Sequence, residues 1–222
     1  MSAIVLLSGG LDSTVSLAIG MRRTSVRLAL AFDYGQRAAR REIDAARKIA
    51  RHYRVRFQRI ALPWIRDLTT TALVNRSNSL PLLRRKELDN RAKCGKSARL
   101  VWVPNRNGLF INAAAAIAEA NGDNLILTGF NAEEAATFPD NSIAFVKAVN
   151  RSLSFSTLNH VRVASYVSGM DKTAIVRAGR RLRVPFDLTW SCYEGGKTAC
   201  GVCESCLRRD RAFRESPLIG LR

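Results

Sequence analysis

With 222 residues, 47% of them apolar, the chain is long enough for one domain with a sizeable core, and its composition is that of an ordinary globular protein. No apolar run approaches the roughly 18 residues of a membrane span and no signal-peptide pattern opens the sequence, so a cytoplasmic protein without a membrane partner is expected. The formal charge of +18, from 29 Arg and 7 Lys against 18 acids, makes RNA, DNA or nucleotides natural partners, although a solvated arginine-rich surface accounts for it equally well.

In chain order, Ile4–Leu7 reads as a buried strand that stops at SGGLDST (8–14), where a helix from Asp12 to Met21 begins. Val26–Phe32 is a second strand, Arg37–Tyr53 a helix and Arg56–Leu62 a third strand. Residues 63–104 are polar and poorly periodic, too long for a simple connection, and predict an irregular insertion near the active site. An alanine-rich helix, Leu109–Asn121, leads to a strand at Asn124–Phe130; a helix at Ser142–Leu153, a strand at His160–Tyr166 and a helix at Lys172–Leu182 follow. This alternation predicts an α/β fold: a parallel, Rossmann-like sheet with helices on both faces and ligands beyond the carboxyl ends of the strands. Residues 1–190 would form that domain, with 191–222 a small C-terminal segment packed on it.

SGGLDST sits where the first strand meets its helix. Glycines let an anion approach the backbone, the helix N-terminus favours negative charge, and the hydroxyls of Ser8, Ser13 and Thr14 add donors. The plainer alternative is a tight turn with Asp12 or Ser13 as an N-cap. Neither G-x-x-x-x-G-K-[ST] nor G-x-G-x-x-G is present in this stretch.

Four of the five cysteines, Cys192, Cys200, Cys203 and Cys206, are spaced C-x7-C-x2-C-x2-C around Gly195, Gly196 and Gly201. Four thiolates so close together suit a closed, structural Zn²⁺ site, with an iron–sulfur cluster the rival that spacing leaves open. Cys94, in the polar insertion, reads as a spare thiol.

SGGLDS resembles the SGGxDS loop of the PP-loop ATP pyrophosphatases, of the adenine nucleotide alpha hydrolase-like fold. Joined with FDYGQR (32–37), VPNRN (103–107), GFNAEEAATFPDN (129–141) and the cysteine tail, it resembles the 7-cyano-7-deazaguanine (preQ0) synthase family from Ala3 to about Arg209. The resemblance implies a carbon–nitrogen ligase that uses ATP, yielding AMP and pyrophosphate, to convert 7-carboxy-7-deazaguanine and ammonia to the nitrile through an adenylated acid and an adenylated amide. Leu7, Ser8, Gly9, Gly10, Leu11, Asp12, Ser13 and Thr14 would bind ATP, with Asp12 acting through Mg²⁺ and Lys172 reaching the phosphates. Catalysis would rest on Asp12, Ser13, Lys172 and Arg106; Tyr34, Gln36, Arg106, Asn107, Asn131, Glu133 and Asp140 would contact the deazapurine from strand ends or loops. The family resemblance also suggests a homodimer. Three departures from the family pattern stand out. ATFPDN replaces the usual SGYPDC, VPNRN replaces VPGRN, and Ala38 stands where a His usually follows. The first leaves open a relative that stops at the amide or joins the acid to another amine. A basic RNA-binding or tRNA-modifying PP-loop protein is the lesser alternative, with no appended RNA-binding domain to favour it.

Overall fold

The computed structural model describes residues 1–217; the end of the expected C-terminal segment, 218–222, lies outside the described residues. Five parallel strands, β1 (Ser2–Leu6), β2 (Ser25–Asp33), β3 (Arg56–Ala61), β4 (Leu125–Leu127) and β5 (Arg162–Ala164), form one sheet in the order β3-β2-β1-β4-β5. The chain winds one way from β1 to β3 and the other way from β4 to β5. The reversal lies between β1 and β4, the switch point at whose carboxyl ends parallel sheets of this kind bind ligands.

Period-two alternation divides the core between the two faces. Ala3, Val5, Ala29, Ala31, Leu125 and Leu127 pack with Leu17 of α1 (Leu11–Arg23) and with Ile43, Ala46 and Ile49 of α2 (Ala39–His52). Ile4, Leu28, Leu30, Phe32 and Ile126 face the other way, against Ile111, Ala114, Ala115 and Ala118 of α5 (Arg106–Ala120) and Leu153 of α7 (Ile143–Ser156). The small side chains of α5 allow a close approach to the sheet. The expected architecture is therefore the one found.

Three regions differ from the sequence expectation. Residues 63–104 hold α3 (Trp64–Leu68), a 3-10 turn and α4 (Arg91–Leu100), and they bury Ile65, Leu73, Val74, Leu80 and Val101 in a cluster of their own. Their apolar residues are too scattered for one amphipathic period but converge in space. α5 starts at Arg106, three residues ahead of the predicted start, so Arg106 and Asn107 occupy a helical first turn rather than a loop. Its N-cap, Asn105, has φ 51° and ψ 23°, the left-handed region where asparagine is the best non-glycine occupant; this accounts for VPNRN in place of VPGRN. Finally, the tail forms α9 (Glu204–Arg214), which packs on α8 (Lys172–Arg181) through Ala212 and Phe213.

Two helices end in the same unusual way. After α2, Val55 N donates to Ala50 O and Arg54 N to Arg51 O; after α8, Val184 N donates to Gly179 O and Arg183 N to Arg180 O. These are Schellman closures, with buried Val55 and Val184 following residues at φ 56° and 55°. Glycine is the usual occupant of that left-handed position, and here it is arginine in both. No helix among the described residues is long and apolar enough to cross a membrane.

α1 and β4 lie almost in contact: Ser16 Oγ donates to Thr128 O at 2.7 Å, and a Cβ on Gly129 would stand 2.6 Å from Ser13 N. Backbone cannot yield there as a flexible side chain would. Gly129→Ala should therefore destabilise the protein by about 1–3 kcal/mol, measured as a lowered urea midpoint with an unchanged m-value.

Candidate active site

β1 ends at Leu6, and Gly9 then turns the chain at φ 77° so tightly against α2 that a Cβ would lie 2.6 Å from Glu42 O. Gly10 is the N-cap of α1, with no side-chain cap. Asp12 and Ser13 are thus free of the capping role and lie inside the first turn, whose amides have no helical acceptor. Ser8 Oγ and Ser13 Oγ are 3.1 Å apart, and Gly10 N donates to Ser8 Oγ at 3.3 Å. The Thr14 hydroxyl donates inward to Gly10 O at 2.6 Å and fastens the turn.

Lys172, the first residue of α8, is buried and sends Nζ to Asp12 Oδ2 and to Glu134 Oε1 of α6 (Ala132–Ala135), both at 2.8 Å. Burial works against the ammonium, but the two carboxylates outweigh it and raise the Lys172 pKa. Burial likewise pushes carboxylates up, yet Lys172 holds Glu134 below its usual range. In Asp12 burial prevails and its pKa is raised, with Lys172 offsetting only part; Oδ1 is buried without a hydrogen-bond partner. Lys172 and Glu134 are therefore the settled ion pair, and Asp12 retains an unused acceptor.

These groups line one wall of a cavity of about 280 Å³ at the strand ends. Leu7, Ser8, Gly10, Leu11, Asp12, Ser13, Tyr34, Gln36, Arg106, Asn107, Asn131 and Lys172 all face it. The Arg106 guanidinium lies 5.9 Å from the centre of the Tyr34 ring and donates to its hydroxyl at 3.4 Å. Gln36 spends its amide on Phe32 O (3.1 Å), Glu42 Oε2 (2.8 Å) and Tyr34 N (3.0 Å), so it shapes the β2 turn. Asn131 is fully buried and caps α6 through Glu134 N at 3.0 Å. Burial is the leading cause of the raised pKa values of Tyr34 and Glu42, which line the cavity, and of Asp140 beyond it.

Four of the expected site residues do not line the cavity. Gly9 and Thr14 support the turn from behind. Asp140 lies in a 3-10 turn and accepts through its backbone from Asn107 Nδ2 at 3.4 Å, while Asn141 beside it faces the cavity. Glu133, expected at the substrate, turns away because it neighbours Glu134 on one short helix. It accepts from Arg208 Nη1 at 2.5 Å, Arg211 Nη2 at 3.0 Å and Lys172 N at 3.1 Å. Arg208 also donates from Nε to Glu204 Oε1 at 2.9 Å and from Nη2 to Cys94 Sγ at 3.4 Å, and Ser97 donates to Glu204. Cys94 is no spare thiol: buried, it donates to Leu88 O at 3.2 Å within this network. Glu42, Phe110, Trp190, Tyr193 and Arg209 were not anticipated at the cavity; only Glu42 had a signal, as the lone acid of ARRE one turn into α2.

The four tail cysteines converge, with their sulfurs all within 4.8 Å of one another. A tetrahedral thiolate site with bonds of about 2.3 Å needs sulfurs roughly 3.8 Å apart. Cys200 N donates to Cys192 Sγ at 3.3 Å and Cys203 N to Cys200 Sγ at 3.4 Å. Gly195 and Gly201 supply the turns at φ 67° and 74°. The cluster fits a metal ion.

A hydroxyl- and amide-lined strand end beside a buried lysine, at the switch point of a parallel sheet, gives an α/β protein with a PP-loop-like opening. The profile of the family described as Queuosine biosynthesis protein QueC matches residues 2–217, and the chain belongs to that family. It is 56% identical to the 7-cyano-7-deazaguanine synthase of Pelotomaculum thermopropionicum over 218 residues, covering 98% of this chain and 99% of the relative. It is 44% identical to that of Methanosarcina mazei over 217 residues, covering 96% and 94%. Among solved structures it resembles a 4-thiouridine synthetase in complex with RNA and bound ATP, at a TM-score of 0.52 and 19% identity over 97% of this chain and 50% of that one; this likeness is one of fold.

Two outcomes follow from the charge network. Arg208→Met leaves Glu133 and Glu204 without their buried partner and should cost about 3–5 kcal/mol in chemical denaturation. Glu134 has a lowered pKa in the folded state, so its stabilisation is present above the unfolded value of 4.5 and is lost as pH falls through the folded value. The stability gap between wild type and Glu134→Gln should be widest above pH 4.5 and shrink below it, as followed by urea denaturation across pH.

Proposed function

We propose that the chain is a 7-cyano-7-deazaguanine synthase, acting on 7-carboxy-7-deazaguanine and ammonia with ATP. The observation that carries the reading is Lys172 beside the hydroxyl-lined N-terminus of α1, on one wall of the cavity at the strand ends. The pyrophosphate of ATP would lie across Ser8, Gly10 and Ser13, on the free amides of α1, with the Lys172 ammonium countering its charge. The free Oδ1 of Asp12 suits a Mg²⁺ ion travelling with the nucleotide, which would screen the phosphate charge. Arg106, projecting into the cavity from the start of α5, would hold the substrate carboxylate.

The carboxylate oxygen displaces pyrophosphate from the α-phosphorus, giving the acyl-adenylate. Ammonia adds to the acyl carbon, AMP leaves, and a proton lost from nitrogen gives the amide. The amide oxygen then attacks a second ATP, again releasing pyrophosphate. Loss of AMP together with the remaining N–H protons leaves the nitrile. The chain's contribution is positioning, charge compensation and exclusion of water from the adenylates.

Cys192, Cys200, Cys203 and Cys206 would hold one structural Zn²⁺ that fixes the start of α9. A homodimer in the cytoplasm completes the reading. A second reading, an enzyme that stops at the amide, is favoured by Asn141, which faces the cavity where the resembled pattern has cysteine.

Incubation with the acid, ammonia and Mg-ATP should yield the nitrile by mass spectrometry, with two AMP and two pyrophosphate per product. ADP and orthophosphate would overturn the reading, and acid consumed with the amide as end product would establish the second one. Asp12→Ala and Ser13→Ala should each lower AMP release by at least a hundredfold while the chain stays folded by circular dichroism. Metal analysis should give one zinc per chain; Cys203→Ser should lose it and unfold at lower temperature. Iron with sulfide would point to a cluster instead.

A further inference from the structure

In a wholly parallel sheet all strands start at one end, and helices that run back from the strand tips finish there. That end is opposite the cavity: Arg27 and Asp33 lie six steps apart along β2, roughly 20 Å at a rise near 3.3 Å per residue. It is lined with exposed arginine. Arg22, Arg23, Arg51 and Arg181 close helices there, and Arg27, Arg56 and Arg162 sit at strand starts. Arg54 and Arg183 project from the two Schellman turns.

Complementing helix dipoles explains the first group and not the others. Three strand starts have no such field to satisfy. At the two turns glycine would relieve the left-handed backbone, yet a long cation stands in both. Carboxylates do not neutralise the surface. Arg27 pairs with Asp123 at 2.9 Å, but among the described residues the other eight arginines make no ion pair. The other acids at this end are Glu119, which accepts from Leu158 N, and Asp187, on the turn that leads back toward the cavity.

We propose that this strand-start face binds the phosphate backbone of double-stranded RNA, independently of the chemistry at the cavity. Arginine forks match phosphate oxygens in pairs. Arg56 on one edge strand and Arg162 on the other are four strand spacings apart, about 19 Å, which reaches several phosphates. The face is built of strand starts and helix ends, and among the described residues no helix or ribbon starts and ends there to enter the major groove of DNA. It suits the wide, shallow minor groove of an A-form duplex.

The test is fluorescence anisotropy with a labelled 24-base-pair RNA duplex between 50 and 300 mM salt, with a DNA duplex of the same sequence and phosphatidylglycerol vesicles as parallel arms. Wild type should bind RNA with a steep salt slope. The variant R54G/R183G/R56S/R162S should bind at least tenfold more weakly at 100 mM salt, its slope shallower by about 3. Its AMP release should be unchanged, since none of the four touches the cavity. If the fourfold variant fails to fold, R54G/R183G, which only relaxes the backbone, should still lose severalfold affinity. The proposal is overturned if wild type ignores RNA at 50 mM salt, binds DNA or vesicles at least as tightly, or binds RNA as well after the substitutions.

Discussion

One ammonium holds the site together. Lys172 Nζ meets Asp12 from α1 and Glu134 from α6, and Lys172 is itself the first residue of α8. Three elements far apart in sequence thereby share a single buried charge. With only one of the carboxylates, burial would discharge the lysine more readily; with both, it stays an ammonium. Three charged groups so placed remain net negative, an arrangement suited to a ligand that arrives with its own cation and leaves Lys172 free to turn toward phosphate.

The same helix carries the connection outward. Glu133 passes from the Lys172 amide to Arg208 and Arg211, and Arg208 reaches Glu204, Cys94 and Leu88 O. The insertion and the cysteine tail therefore meet on one guanidinium just behind the active site. A buried arginine with three kinds of acceptor is costly to desolvate, and its value lies in fixing one arrangement of neighbours more than in net stability. The cysteine cluster spans the start of α9, and Arg208 lies less than two turns further along the same helix. The cysteine cluster and the geometry around Lys172 are mechanically linked by that short span.

Much of this was legible in the sequence because it was local or periodic. The strand–glycine–helix opening, the alternating strands and the cysteine spacing each carry their meaning within a few residues. Arg106 was visible as a motif member, but its helical setting was not, since Asn105 holds a left-handed cap that sequence patterning does not register. Arg208 looked like one arginine among 29, because what distinguishes it is the convergence of Glu133, Glu204 and Cys94 across more than 100 residues of chain. The insertion read as irregular for the same reason: its apolar side chains share a cluster without sharing a period. Glu133 is a motif residue that faces away from the cavity, because consecutive helical positions point about 100° apart and Glu134 takes the inward direction.

That divergence within α6 governs which length changes the segment can tolerate. Glu133 serves the outer network and Glu134 serves Lys172, from neighbouring positions on a four-residue helix. Deleting or inserting one residue between Asn131 and Glu134 would rotate the pair by one step, turning the wrong acid toward the lysine and breaking the cap that Asn131 gives Glu134 N. Only Ala132 of the stretch is exposed, so a gap there has little room to be absorbed. Here related chains should vary in residue type while keeping the count from Asn131 to Glu134 fixed.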